Sequence, residues 1–319
     1  MKNYKIFIMK IFILILLFLS IFLSVNFFYY KVPQKTLWIY KCFEVKDKYA
    51  KSINTKKIVF TSGSNTLFGM ETNLVEKELG IPVVNMAIQA GLETDYILYR
   101  AKQILNKNDI IILPFEYENF NWNGDSSIVR TNFLLTHDKG FIANNMNMYE
   151  IVKMIIPLSP LDTFNSFREQ SLINIKEKAI GKGYTSLTLN SNGDETYKKD
   201  TKEILLQTTH KPFQIPLEKE PYGLQVIKEF SLWCKKNNIK LYITFPNIII
   251  LKEYKEEKYV KYFNNLIEYF NKNNIKIIGK PMDAMYPIEY FYDSKYHMNI
   301  QGANIRTKDF IKKLNKTLN

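Results

Sequence analysis

The sequence predicts an α/β fold, a three-layer sandwich around a mostly parallel five-stranded sheet, preceded by one transmembrane helix. Three observations support this prediction. Short apolar runs typical of buried parallel strands alternate with amphipathic stretches. The first of these runs ends in Ser62-Gly63-Ser64, which is a tight-turn sequence. An apolar stretch near the N-terminus is long enough to cross a bilayer. Alternating strands and helices favour parallel pairing.

The N-terminal apolar stretch, residues 11–28, predicts an uncleaved signal anchor. Roughly 18 residues span about 27 Å as a helix, close to the thickness of the hydrocarbon core. No pair of small residues suited to signal cleavage follows, which favours an anchor over a cleaved signal peptide or a buried helix. Lysines before the stretch place the body on the extracytoplasmic side of the cell membrane, although lysines also follow it. The preceding lysines are Lys2, Lys5 and Lys10, and the following ones are Lys31 and Lys35. The polar residues within it are Ser20, Ser24 and Asn26.

The predicted domain organisation has one globular body. Residues 1–31 form a cytoplasmic stub and the anchor, and residues 32–56 form a juxtamembrane linker. Residues 57–319 form the α/β domain, which has the length and the mixture of apolar and charged residues of a globular body. An insertion at about 120–216 interrupts it.

The elements follow from apolar periodicity. Residues 57–61 are an apolar run that ends at a glycine turn, and residues 66–79 carry apolar side chains at helical spacing. The same alternation then repeats along the chain. The predicted strands are residues 57–61, 82–86, 109–114, 240–245 and 276–278. The predicted helices are residues 66–79, 94–105, 222–236, 259–271 and 301–314.

The insertion lacks this alternation. Its helical stretches, residues 149–156 and 164–178, predict either a lid or partner surface, or equally an elaboration of the surface. Residues 190–200 are polar.

Composition restricts the partners. The net charge of +13, from 44 Lys and Arg against 31 Asp and Glu, would attract anionic lipids, teichoic acids or acidic polysaccharide. Abundant Lys, Ile, Asn, Tyr and Phe together instead indicate an AT-rich coding sequence. The positive charge is not accompanied by an Arg-rich cluster, so we do not expect binding to nucleic acid. Cys42 and Cys234 do not have the spacing of metal ligands, and a disulfide cannot be inferred from them. We expect neither a metal nor a cofactor.

Histidine is scarce, and this narrows the candidates for a general base. The chain has three, and His137 and His210 lie in stretches without clear periodicity. His297 follows Asp293 and precedes the last predicted helix. A separation of four residues lets Asp293 orient the imidazole only if the intervening loop turns. Without such a turn, His297 is expected to cap the helix or lie on the surface.

Ser64 stands where a parallel sheet places its ligands, at the carboxyl end of the first strand. Gly63 permits the tight turn, and the helix that follows supplies backbone N–H groups and a positive dipole for an oxyanion. The sequence therefore predicts Ser64 as a nucleophile. The competing interpretation is that Ser64 or Asn65 only caps the helix.

Further candidates follow the second and third strands. Gly91 permits close backbone approach and is a candidate oxyanion donor. Asn65, Asn85 and Glu116 are candidate substrate-binding residues, although Asn85 also suits a turn. Glu116, followed by Glu118, would hydrogen-bond a sugar hydroxyl or support the loops, since an ionised carboxylate cannot donate to an oxyanion.

These motifs resemble those of the SGNH (GDSL-like) hydrolase superfamily over about residues 57–314. More narrowly, the chain resembles membrane-anchored SGNH-like proteins that act beside membrane-bound O-acyltransferases in cell-envelope polysaccharide modification. The resemblance implies a flavodoxin-like SGNH fold with Ser64 as the nucleophile of the first block and Gly91 as the oxyanion donor of the second. It implies that Asp293 and His297, in the last block, complete the triad.

The sequence departs from the family at two points. The third block has a Gly-x-Asn-Asp pattern whose Asn donates to the oxyanion, whereas residues 114–117 read Pro-Phe-Glu-Tyr. Asn119 and Asn121 are candidate replacement donors. Asp293 and His297 are also one residue further apart than in the usual Asp-x-x-His.

Three functions are consistent with these features. The first is a membrane-anchored O-acyl esterase or transferase, with acetyl as the expected group, acting on a cell-envelope polysaccharide. The second is a scaffold with little or no activity that binds glycan or recruits a membrane-bound O-acyltransferase. The third is a basic module that binds membrane surfaces, whose binding would depend strongly on salt.

Overall fold

The computed structural model describes residues 2–170, 184–197 and 211–318. The chain divides into two compact units. The first comprises Met1–Tyr40 and Asp125–Glu177, and the second comprises Lys41–Gly124 and Lys178–Asn319. The predicted insertion at 120–216 is therefore shared between the two units.

The second unit contains a five-stranded parallel sheet, so the predicted α/β class with five parallel strands is confirmed. Its strand order is β2-β1-β3-β4-β6, and a separate two-stranded parallel sheet joins β5 to β7. The strands are β1 Ile58–Phe60, β2 Val83–Asn85, β3 Ile110–Leu113, β4 Lys240–Thr244, β5 Ile248–Ile249, β6 Lys276–Ile278 and β7 Met285–Tyr286. Each strand of the larger sheet lies within a predicted strand.

The helices of the described residues also follow the predicted order. The helices before the first strand are α1 Lys2–Tyr29 and α2 Pro33–Ser52. The helices up to the third strand and its exit are α3 Ser64–Gly69, α4 Thr72–Leu79, α5 Thr94–Lys102 and α6 Tyr117–Phe120. Those of the first unit's second segment are α7 Ile128–His137, α8 Lys139–Asn145, α9 Met148–Ile155 and α10 Pro160–Gln170. The remaining helices are α11 Tyr222–Lys236, α12 Glu257–Lys272 and α13 Ile300–Leu318.

The prediction of one helix over residues 66–79 is wrong, because the chain breaks between α3 and α4. Met70 is extended there, with φ −125° and ψ 143°. The Asp194 carboxylate accepts hydrogen bonds from the backbone N and the hydroxyl of Thr72, each at 2.8 Å, and so begins a second helix. The amphipathic period spans the break, and a carboxylate distant in sequence interrupts the helix.

The other helical predictions differ mainly at their ends. The stretch predicted at 149–156 is α9, and the stretch predicted at 164–178 begins earlier, at the start of α10. Residues 171–178 of that prediction lie outside the described residues, as do residues 198–200 of the polar segment. Most of the predicted linker, residues 32–56, is helical because it contains α2.

The core of the second unit is formed by the sheet together with α4 and α13. Ile58 and Phe60 of β1 share an apolar cluster with Val75 of α4 and with Phe310 and Leu314 of α13. All five side chains are buried. Alternate residues of a strand project to the same face, so this cluster fixes the register of β1. This packing fixes the sheet, and with it the positions of the turns that follow its strands.

A buried ion pair joins the starts of β1 and β3. Lys57 Nζ lies 2.8 Å from Asp109 Oδ2, and both side chains are almost fully buried. The same carboxylate accepts hydrogen bonds from the backbone N–H of Lys57 at 3.0 Å and of Asn106 at 2.8 Å. These bonds compensate part of the cost of burying the charge.

The first unit begins with α1, which is long and apolar enough to cross a membrane. Its candidate span covers Tyr4–Tyr29, 26 residues, and none of its most apolar window is buried. The helix is longer than the predicted residues 11–28. It is compatible with the predicted single-pass membrane anchoring.

Replacing Asp109 with Ala should lower the free energy of unfolding by about 3–5 kcal/mol, because it leaves the buried Lys57 ammonium without its counter-ion. Urea denaturation of the detergent-solubilised chain, followed by near-UV circular dichroism, measures the change. The matched control is Glu44→Ala, which breaks the exposed Lys41–Glu44 pair and should cost less than about 1 kcal/mol. A loss at Asp109 no larger than the control would contradict the prediction.

Candidate active site

The loop that carries His297 turns back on itself, as an interaction with Asp293 requires. Phe291 and Met298 form an antiparallel bridge, and the backbone N–H of Tyr292 donates to the His297 carbonyl at 3.1 Å. This turn brings Asp293 Oδ1 to 2.7 Å from His297 Nδ1. The two residues therefore form an Asp–His dyad despite the extra residue between them.

Tyr184 is a third member of this group. Its hydroxyl donates to Asp293 Oδ2 at 3.1 Å and lies 3.1 Å from His297 Nδ1. Burial and the nearby Asp293 charge raise the pKa of the Tyr184 hydroxyl, which stays protonated. No local pattern points to Tyr184, because it lies in the irregular insertion, far along the chain from the dyad.

The imidazole has one nitrogen available for a second partner. Asp293 and Tyr184 both lie at Nδ1, so the dyad favours the tautomer with its proton there. Nε2 is then unprotonated and can accept a proton. His297 itself is only 7 % exposed. This arrangement suits a general base held in one orientation.

Ser64 is the first residue of α3 and lies one turn before Phe68 on the same helix. The Phe68 ring packs on the His297 imidazole with 4.4 Å between ring centroids. The structure thus brings the imidazole against the helix that Ser64 begins. Among the described residues, no hydrogen bond joins the Ser64 hydroxyl to His297.

The turn before Ser64 is held by Glu116. Its Oε2 accepts a hydrogen bond from the Gly63 backbone N–H at 3.0 Å, and its Oε1 accepts one from the Asn65 backbone N–H at 2.9 Å. A Cβ at Gly63 would lie 2.5 Å from Cα of Ala90 and 2.5 Å from Glu116 Oε1. Only glycine allows the turn to approach these groups so closely.

Burial raises the pKa of Glu116 to about 7, although the N–H donors of Asn65 and Gly63 act in the opposite direction. The carboxylate loses its hydration when it is buried, and the backbone donors only partly replace it. Glu116 therefore titrates near neutral pH at the centre of the turn that presents Ser64.

The next residues along the chain hold the other parts of the site. Glu118 accepts hydrogen bonds from Lys295 Nζ at 2.7 Å and from the Tyr296 hydroxyl at 2.6 Å, both in the His297 loop. Asn119 Nδ2 donates to the Ala90 carbonyl at 3.1 Å, in the turn before Gly91. The segment that leaves β3 thus contacts all three loops that carry the predicted site.

The candidate substrate-binding residues are turned to internal contacts. Asn65, Asn85 and Glu116 are each at most 1 % exposed. Asn65 Nδ2 donates to the Pro114 carbonyl at 2.8 Å, and Asn85 Nδ2 donates to Asp194 Oδ1 at 2.8 Å. Their hydrogen bonds hold the loops in this structure, which agrees with the supporting role predicted as one alternative for Glu116.

The candidate oxyanion donors are fewer than the sequence suggested. The backbone N–H of Ser64 has no acceptor among the described residues, as expected for a first helical position. The Gly91 N–H lies 3.5 Å from Gln89 Oε1, which is a long contact. Asn119 and Asn121 both donate their amide groups to backbone carbonyls. Because α3 has six residues, its dipole adds little.

The other ionisable candidates lie elsewhere. His137 Nε2 is 2.8 Å from the Thr36 hydroxyl, and its ring stacks on Tyr40 in the first unit. His210 lies outside the described residues. Within residues 2–170, 184–197 and 211–318, no group of three His, Cys, Asp or Glu side chains is placed to hold a metal ion.

Comparison with known proteins does not assign the chain to a family. No family model matches the chain, and no curated protein sequence matches it significantly. The resemblance to SGNH hydrolases therefore remains an expectation from the sequence motifs alone.

The stability of the chain should fall as pH rises from about 4.5 to about 7 because of Glu116. The folded state holds the Glu116 proton to about pH 7, whereas the unfolded state releases it near 4.5. Over this window the unfolded state binds fewer protons, so unfolding becomes more favourable. The full effect is on the order of 3 kcal/mol and is constant at higher pH.

Urea denaturation of the parent and of Glu116→Gln across this pH range measures the contribution. The parent should lose stability relative to the Gln variant as pH rises. The exposed Glu289→Gln should follow the parent at every pH. Parallel stability curves for the parent and Glu116→Gln would refute the assignment.

Proposed function

We propose that the chain is a membrane-anchored O-acyl esterase or transferase of the SGNH type that uses Ser64, His297 and Asp293. The observation that supports this most is the dyad, in which Asp293 fixes Nδ1 of an imidazole packed against the helix that Ser64 begins. A lone structural histidine needs neither the acid at Nδ1 nor packing on the helix that begins at a strand-end serine. These features together suit acyl transfer.

In the proposed reaction, Ser64 Oγ attacks the carbonyl carbon of an acyl ester while His297 Nε2 takes the hydroxyl proton. The ester C–O bond then breaks, and the imidazolium gives its proton to the departing alcohol. Water or a sugar hydroxyl next attacks the acyl-serine and transfers its proton to His297. Breakage of the acyl–Oγ bond returns the proton to Ser64. Asp293 keeps the ring in one tautomer throughout.

The backbone N–H groups of Ser64 and Gly91 would hold the oxyanion. The hydrogen bond between the Ser64 hydroxyl and Nε2 would form in the transition-state complex, since such bonds are often long in its absence. Because residues 114–117 lack the family's donor Asn, the chain would have one donor fewer. Losing one donor typically costs about 100- to 1000-fold in turnover, so the proposed reaction is slow with generic esters.

The strand order supports the SGNH assignment. Numbered along the larger sheet alone, the strands run 2-1-3-4-5, an order found in flavodoxin-like doubly wound sheets, where ligands bind at the carboxyl ends of the strands. Ser64, Gly91 and Glu116 each follow such an end. We place the domain on the extracytoplasmic side, with a cell-envelope polysaccharide as acceptor and a membrane-bound O-acyltransferase as a partner, as the resemblance implies. In the proposed fold, the sheet would be the middle layer of a three-layer sandwich, with helices on both of its faces.

An inactive scaffold is the second candidate, and one observation favours it. The carboxylate of Glu116 and the side-chain amides of Asn119 and Asn121 are all engaged in internal hydrogen bonds. None of these groups is left to replace the missing donor. A scaffold would keep the fold and bind glycan or the acyltransferase without turnover.

Ser64→Ala and His297→Ala should each abolish the slow hydrolysis of an activated acetyl ester by the full chain in detergent. The loss should reach at least about 100-fold in kcat, and the double variant should lose little more, because the two residues act as one unit. Release of 4-nitrophenol from its acetate ester measures the rate. Ser62→Ala, in the same turn, is the control and should stay active. Activity that survives Ser64→Ala unchanged leaves the scaffold as the better proposal.

Tyr184→Phe should reduce kcat by roughly 10- to 100-fold, because a hydrogen bond to a charged carboxylate contributes about 1.5–3 kcal/mol. Tyr184 acts as a positioning residue, so the pH profile gives the sharper test. Without the Tyr184 donor, Asp293 stabilises the imidazolium more strongly, and the acidic limb of kcat/KM should move to higher pH. Tyr290→Phe is the control. An unmoved acidic limb would limit Tyr184 to packing.

A further inference from the structure

The first unit carries large apolar side chains on its surface, close to the end of α1. On α10 the large apolar residues are exposed, together with Asn165 and Arg168, and the buried residues are small and polar. Thr163 and Ser166 are at most 9 % exposed, whereas Leu161, Phe164 and Phe167 are 43–67 % exposed. A helix packed on a protein core in water shows the reverse pattern. Exposed apolar side chains of this kind suit a helix whose outer face meets an apolar medium.

The adjacent helix α9 continues this surface. Met148 and Tyr149 at its start are 73 % and 71 % exposed, and Ile156 just past its end is 52 % exposed. We refer to these three side chains, with Leu161, Phe164 and Phe167, as the outer apolar face. Large exposed apolar side chains on consecutive helices of a folded unit suit contact with another molecule or a membrane.

A buried hydrogen bond fixes the position of α10 relative to α1. The Thr163 hydroxyl donates to Asn26 Oδ1 at 2.8 Å, and Asn26 Nδ2 donates to the Phe22 carbonyl at 2.9 Å. Asn26 is fully buried and lies three residues before Tyr29, the last residue of the candidate span. At 1.5 Å per residue, Thr163 contacts α1 about 5 Å below the end of the span. With α1 across a bilayer, α10 would lie at the depth of the headgroup boundary.

Other contacts hold the rest of the first unit at the same end of α1. Lys139 Nζ donates to the Phe28 carbonyl at 2.7 Å, and the Tyr30 hydroxyl donates to Asn132 Oδ1 at 2.7 Å. Helix α9 packs against α1 as well. These contacts hold α7, α8 and α9 at the end of α1 where the candidate span finishes.

We propose that α9 and α10 form an interfacial membrane contact, in which the outer apolar face enters the headgroup and upper acyl region beside α1. The chemistry matches this partner. Aromatic side chains concentrate at membrane interfaces, and Tyr149, Phe164 and Phe167 join Tyr29 there. Amphipathic helices that lie in the interface bury their apolar face about 5–10 Å deep, which agrees with the depth of Thr163. The lysines Lys31 and Lys139 would meet anionic headgroups.

This contact would add a second attachment to the span itself. It is independent of any reaction at Ser64. It requires that α1 crosses the bilayer, and it gives α9 and α10 a role that neither a lid nor a surface elaboration describes.

Site-specific fluorescence in nanodiscs tests the proposal with the full chain. Single cysteines replace Phe164 or Phe167 and are labelled with an environment-sensitive nitrobenzoxadiazole dye. Cys42 and Cys234 are buried, so labelling is directed to the new thiol. The nanodiscs contain phosphatidylcholine and phosphatidylglycerol, with or without a lipid that carries a nitroxide near its headgroup. The control is Ile128→Cys, which is 57 % exposed on the first turn of α7, the end opposite the Thr136 contact with Val32.

The labels at residues 164 and 167 should emit at shorter wavelength and be quenched by the nitroxide lipid at least about twofold more than the label at residue 128. Aqueous iodide should show the reverse order. Equal iodide quenching at all three positions, with no quenching by the nitroxide lipid, would overturn the proposal. Protection of 164 and 167 from both quenchers would also overturn it, since a second protein or a second copy would then cover the face. Leu161→Cys repeats the test if either Phe variant fails to fold.

Discussion

The carboxylate of Glu116 is the group on which the candidate site depends most directly. It accepts the backbone N–H groups on both sides of Ser64 and is itself buried. A buried carboxylate is costly unless several donors satisfy it, and here the donors are those of the turn itself. The turn and the acid therefore share these hydrogen bonds, so the protonation state of Glu116 acts directly on the turn.

The same segment extends this constraint to the remaining loops. Glu118 holds Lys295 and Tyr296, and Asn119 holds the Ala90 carbonyl. Three separate loops thus converge on Glu116, Glu118 and Asn119, within the segment that follows β3. Glu116 and Glu118 therefore act as a structural clamp between these loops. Where the proposed resemblance expects an oxyanion donor, this chain has a side chain that supports the turn of Ser64.

Much of the fold could be predicted because its strands and helices have strong local patterns. The runs at residues 109–114 and 276–278 are apolar between turn residues, and both are strands. The Asp293 and His297 pair was also accessible, since scarcity of histidine left few alternatives. The break between α3 and α4 could not be predicted, because Asp194, which accepts hydrogen bonds from Thr72 at the start of α4, lies far away in sequence.

The contacts of the site show the same limit. No local pattern could place Tyr184 on the dyad or show that Asn65 and Asn85 are buried in internal hydrogen bonds. Such contacts depend on which loops meet at the sheet edge, and this is decided by the packing of the whole unit. Single-sequence patterns therefore located the strand ends and the candidate residues, whereas the supporting groups emerged only from the tertiary structure.

The strand order has a consequence for synthesis. Strand β3 lies at the centre of the sheet, but its neighbour β4 begins only at Lys240. A ribosome adds about 5–20 residues per second, so the stretch between them takes on the order of ten seconds to appear. During that time β1, β2 and β3 would present an unpaired apolar edge, which is prone to pair with other chains. Until β4 is synthesised, a chaperone or the continued emergence of the chain would have to keep the edge of β3 from pairing with other chains.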